Sequence, residues 1–278
     1  SSSMSLEIEL IGCHFANSIE IFNEFEDFHA YYSQMPDNIK KKIGINNENY
    51  HEFFNIYRHS PTKSLFKKTD SADQYLIDFW VSTVSGKARF LDGFLDKPYV
   101  GINRDFLRTL FDKFIKETNL IVIQNYLLEQ GIYLIFETAK EGTKVDGVSL
   151  KVNEKPVVAM SLRLKNLDSF WFTLLHELSH IVLHFDELNE PIVDYFEESS
   201  DLDINKLEKQ ANKLAREIMI PNSIWRTIKT TRNLEDLASY SKLFKVHPSI
   251  IAGRLSFENN DWASYSKLRA EYKINYEI

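Results

Sequence analysis

Residues 168–185 read DSFWFTLLHELSHIVLHF, a stretch that sets three histidines and a glutamate among apolar side chains. At roughly 100° per residue, Thr173, His176, Glu177, His180 and His184 fall within about one quadrant of a helix. Phe170, Trp171, Leu174, Leu178, Ile181, Val182 and Phe185 take the opposite side. Residues four apart on a helix stand one above the other, so His176 and His180 aim their imidazoles at one point, where neutral ring nitrogens at about 2.0–2.1 Å suit Zn²⁺. Glu177, one position round, falls beside such an ion, placed to take a proton from a water instead of ligating. Core histidines at this spacing by chance would form a buried polar row without partners, which is costly.

Two histidines do not complete a catalytic zinc site, which takes a third protein ligand and keeps a fourth position open. His184 shares the polar stripe but stands two turns from His176 on one straight helix, so it is expected to support the site or the core and not to ligate. A long-spaced three-histidine arrangement would need a histidine at position 186, which is Asp186. The later run LEKQANKLARE offers Glu208, with Glu217 as the competing acid. Leu207, Ala211, Leu214 and Ile218 make an apolar stripe there, and Ala211 and Ala215 are small enough to let two helices approach closely. Asn212, one turn after Glu208, is a candidate to orient that carboxylate.

These residues need elements to hold them. At 278 residues and 44% hydrophobic content, the chain is long enough to bury a substantial core. Aromatic-rich segments up to about residue 90 predict helices that turn their rings inward, broken at PDN and SPTK. KPYVGINRDFLRTLFDKFIKETNLIVIQNYLLEQ predicts two helices, and GIYLIFET, DGVSLKV and KPVVAMSLR predict a small sheet of about three strands. An acidic loop, FDELNEPIVDYFEESSD, then leads to a helix that ends before Pro221, followed by several short helices. The fold class is α+β. Ser1–Ser3 ahead of Met4 are expected to be an expression scar.

With the blocks KPVVAMSLRLKNLDSFWFTLLHELSHIVLHF and LEKQANKLAREIMIP in this order, the chain resembles the ImmA/IrrE family of metallo-endopeptidases. The resemblance is clearest over residues 85–225 and weaker through the C-terminal helices. It implies a zincin-like fold over residues 91–278, with 222–278 as its C-terminal helical segment, behind a helical region at 4–90. It also implies Zn²⁺ held by His176, His180 and Glu208, Glu177 as catalytic acid and base, and hydrolysis of a partner protein, a helix-turn-helix repressor or antitoxin. By analogy with other zincins, KPVVAMSLR would form the cleft edge to which an extended substrate adds, and Tyr195 is a candidate oxyanion donor.

A rival reading is a zinc-binding regulatory module that acts by association without cleaving. Direct DNA binding is not expected: the net charge is −7, and the helix-turn-helix outline of LEDLASYSKLFKVHPSIIAGRL carries only a modest basic surplus. The opening residues lack a basic flank and an unbroken apolar run, and no segment has the length of a membrane span. The single cysteine, Cys13, is expected to be a packed residue, and its lack of a disulfide partner predicts a reducing, cytoplasmic location.

Overall fold

The computed structural model describes residues 2–58, 72–195 and 202–274; at residues 2–17, 72, 195 and 202–204 it describes the backbone alone. The break read at SPTK, the end of the acidic loop and the side chain of Cys13 lie outside the described residues. The chain divides into two compact units, one of residues 1–86 with 140–143 and one of 87–139 with 144–278. Among the described residues no helix is long and apolar enough to cross a membrane.

The first unit is built from α1 (Ser2–Gln34), α2 (Asp37–Ile43), α3 (Tyr50–Arg58) and the first part of α4 (Ala72–Leu95). Pro36 opens α2 with its fixed φ, and Gly44 closes it at φ 86°, a conformation that costs a glycine little. The rings turn inward as expected. Phe28, Tyr31, Tyr32, Tyr57 and Tyr75 are buried together, and Phe25 meets Phe54 edge-on with centroids 5.4 Å apart.

The second unit carries the chemistry. Asn103 and Asn119 cap α5 (Arg104–Phe114) and α6 (Leu120–Leu128) by accepting hydrogen bonds from the amides of Phe106 and Ile121. Four strands follow: β1 (Tyr133–Phe136), β2 (Val145–Val152), β3 (Lys155–Met160) and β4 (Ile192–Tyr195), ordered β1-β3-β2-β4. β3 runs parallel to β1 and antiparallel to β2, and β2 is antiparallel to β4. Two expectations change here. The sheet has a fourth strand, because four residues of the acidic loop pair with β2. KPVVAMSLR is also no cleft edge: β3 is hydrogen-bonded on both sides, so β1 and β4 are the edges.

The helix α7 (Leu167–His184) lies on this sheet and packs against α8 (Leu202–Met219). Its apolar side buries Phe170, Trp171, Leu174, Leu178 and Ile181. Across the interface, the fully buried Ala211 and Ala215 bring the two helix backbones close, which decides what their polar residues can reach. Beyond α9 (Asn222–Ile228), the helix-turn-helix outline forms α10 (Leu234–Phe244) and α11 (Pro248–Glu258). Ile250, Ile251, Ala252 and Leu255 of α11 are buried, and α11 packs on α7, so this pair builds core. The helix α12 (Ser266–Glu271) closes the described chain with Arg269 bound to Asp168.

Candidate metal centre

The polar stripe of α7 faces α8 and the sheet. His176, Glu177, His180 and His184 are all buried, at 3% exposure or less. Close helix packing lets Glu208 of α8 reach both rings: its carboxylate oxygens lie 2.9 Å from His176 Nε2 and 2.9 Å from His180 Nε2. The two Nε2 atoms are 3.2 Å apart. Donors sharing one tetrahedral ion at bonds of about 2.0–2.1 Å would stand about 3.3–3.4 Å apart, so a zinc ion fits with a slight outward movement.

The charge pattern fits a cation equally well. Glu177, Glu208 and Asp194 of β4 crowd two imidazoles; ligand atoms of His176, Glu177 and Asp194 lie within 4.8 Å of one another. Burial alone would discharge His176, yet Asp194, Glu208 and Glu177 outweigh it and push its pKa up to about 10. His180 goes the other way. Its burial brings it down to about 4, leaving a neutral ring with a lone pair to donate. Burial raises Glu208, but bonds to the two histidines overcome this and bring it down to about 2.

Glu177 is held differently. Burial raises its carboxyl well above the usual range, the His176 charge opposes this, and Asp194 and Glu208 reinforce it. Its Oε2 lies against the Ser149 hydroxyl of β2, and its buried Oε1 has no hydrogen-bond partner among the described residues. A bound cation would draw this carboxyl back towards ionisation. Gly147 makes room for it: a Cβ there would stand 2.7 Å from Oε1.

Behind the donors runs a chain of contacts. His180 Nδ1 lies 2.9 Å from His184 Nδ1, and His184 Nε2 lies 2.7 Å from Gln210 Oε1. His184 thus stands behind the site and offers it no ligand atom. Glu217 is turned away and pairs with Arg104 at 3.4 Å. Asn212 makes no hydrogen bond to Glu208, and Gln210 supplies the supporting amide instead. The Tyr195 side chain lies outside the described residues. Sequence reasoning missed Asp194, Ser149, Gly147 and Gln210. Only Gln210 left a trace, since it lies two positions after Glu208 on the same helix.

Residues 128–256 match the family model of the IrrE N-terminal-like domain, Peptidase_M78, a span that runs from the end of α6 through the sheet, α7 and α8 into α11. Among curated proteins the search finds no match. The segment that holds His176, His180 and Glu208 together is thus similar to the peptidase domain of the ImmA/IrrE type, and the protein is a metallo-endopeptidase.

Proposed function

We propose that the protein is a zinc-dependent endopeptidase that cuts a partner regulatory protein, a helix-turn-helix repressor or antitoxin. In this reading His176, His180 and Glu208 hold the ion, and Glu177 is the catalytic acid and base. The observation that carries it is the convergence of two imidazole nitrogens and two carboxylate oxygens within 2.9–3.2 Å, with a non-ligating glutamate alongside. Zn²⁺ bound there supplies Lewis acidity, lowering the pKa of water and polarising the scissile carbonyl.

The chain's own groups do the rest. Glu177 takes the proton of the attacking water on its unpartnered Oε1 and returns it to the leaving amine, while Ser149 fixes Oε2. β4 is paired with β2 on one side, so an extended substrate adds along its other side and passes Asp194, hence Glu177. A lone cysteine fits action in the reducing cytoplasm.

The test incubates zinc-loaded protein with candidate helix-turn-helix repressors, wild type next to Glu177→Gln. Cleavage by the wild type alone supports the peptidase reading. Equal regulation of the repressor by both proteins, with no cleavage, would establish a module that acts by binding.

A further inference from the structure

A cavity of about 220 Å³ opens beside the metal donors. Asp194, whose ligand atom stands within 4.8 Å of those of His176 and Glu177, is part of its lining, so the cavity adjoins the site. Phe172, Phe257 and Trp262 give it aromatic walls, and Arg216 of α8 contributes a guanidinium to its lining. The Arg216 guanidinium carbon lies 5.3 Å from the Phe172 ring centre and 3.9 Å from that of Phe257. Phe172 in turn is one turn before His176, with ring centres 6.0 Å apart. A fixed positive charge therefore sits one aromatic ring away from a metal donor.

Three arginines line this cavity, and two are matched. Arg269 binds Asp168 at 2.8 Å, and Arg254 binds Glu258 at 2.8 Å. Asp146, also in the lining, is held by Arg163 at 3.0 Å. Arg216 has no carboxylate within ion-pair distance among the described residues. Its contacts are with rings, and among the described residues its planar fork of N–H donors has no hydrogen-bond acceptor, which leaves it for a ligand. Burial already works against its charge, so a carboxylate arriving there meets a guanidinium that water serves poorly.

The geometry points to this cavity as a specificity subsite that receives the acidic side chain of a substrate residue flanking the cleaved bond, with Arg216 as the receiving group. Glutamate suits it best, since its methylenes lie along aromatic walls while its carboxylate reaches the guanidinium. The assignment rests on the peptidase reading of His176, Glu177, His180 and Glu208.

Two measurements test it separately from that reading. The first is binding to the zinc-loaded protein, followed by NMR at the Arg216 Nε–Hε signal, which Arg216→Gln identifies. N-acetyl-glutamate N-methylamide should shift that signal, and the glutamine counterpart should bind at least about tenfold more weakly. The second is cleavage of a peptide library with amidated C-termini. Wild type should favour Glu over Gln at one position beside the cut by about ten- to a hundredfold. Arg216→Gln should flatten this preference and Arg216→Glu should turn it towards Lys, while Arg232→Gln, outside the cavity, leaves it in place.

No NMR shift, or cleavage without acidic preference, overturns the inference. So does a preference seen only when peptides keep a free C-terminus, because the carboxylate recognised is then the chain end. A shift with no cleavage of any peptide counts against the peptidase reading and leaves the cavity a carboxylate site.

Discussion

Gln210 Oε1 lies 2.7 Å from Nε2 of His184, and through that contact it sets the chemistry of a ring it never touches. The amide oxygen can only accept, so His184 carries its proton on Nε2 and presents a bare Nδ1. His180, 2.9 Å away, can then carry its proton on Nδ1, so that with a cation held in the site its Nε2 lone pair is free to ligate. This is the tautomer that a metal requires.

Breaking the relay should weaken the metal without touching a ligand. Gln210→Met and His184→Phe remove successive acceptors and are expected to lower zinc affinity by about ten- to a hundredfold. Gln210→Glu keeps an acceptor and should restore most of it. Competition against a colorimetric chelator measures this; affinities within twofold of wild type for both disruptive variants would show that the ring needs no such support.

The Cβ of an alanine at position 147 would stand 2.7 Å from Glu177 Oε1 and 3.1 Å from the Ala159 carbonyl. The strand cannot give way easily, so the carboxylate must. Gly147→Ala is expected to keep its zinc, because Glu177 is not among the three proposed ligands, and to lose at least about tenfold in kcat through misplacement of the proposed base. Zinc content by mass spectrometry together with turnover on a cleaved peptide separates the two effects. Loss of zinc in parallel with activity would mean that the glycine serves the fold of the site as a whole.

What the sequence disclosed follows how far apart the parts lie along the chain. His176, Glu177 and His180 share one helix, and their mutual placement is a matter of helical period alone. Glu208 needed the docking of α7 on α8, which Ala211 and Ala215 foreshadow, and spacing by itself did not separate it from Glu217. Nothing linear announces Asp194, Ser149 or Gly147. They come from β2 and β4, and β4 is four residues inside an acidic stretch that carries no strand period. The cavity beside Arg216 was equally hidden, since β2, β4, α7, α8, α11 and the segment around Trp262 all contribute to its lining.

Metal binding should expel protons. His176 is held up to about 10 in the metal-free chain, so at pH 8 its ring is charged and must lose a proton before it can ligate. Zinc titration calorimetry at pH 8, repeated in buffers of different ionisation enthalpy, is expected to show at least one proton released per ion. Raising the pH from 8 towards 10 should tighten apparent affinity as that competition fades. A binding reaction that releases no proton would place the charge elsewhere than on His176.

A buried pair in the first unit ties stability to pH. Asp78 accepts hydrogen bonds from Gln74 at 2.9 Å and from the Tyr31 hydroxyl at 3.2 Å. Burial nonetheless wins, and the carboxyl is pushed up to about 7. Because the folded chain holds this proton more tightly than the unfolded one, the contribution to stability is complete below about pH 4 and is lost as pH rises through 7. The loss amounts to about 4 kcal/mol at most. Asp78→Asn keeps an acceptor for Gln74 and never ionises, so it should remove this slope and leave the first unit more stable than wild type at pH 8. Hydrogen exchange of peptides covering Tyr31 and Asp78, at pH values between 5 and 8 and corrected for intrinsic rates, reads the difference directly. Equal pH slopes in variant and wild type would mean that the carboxyl is ionised throughout that range.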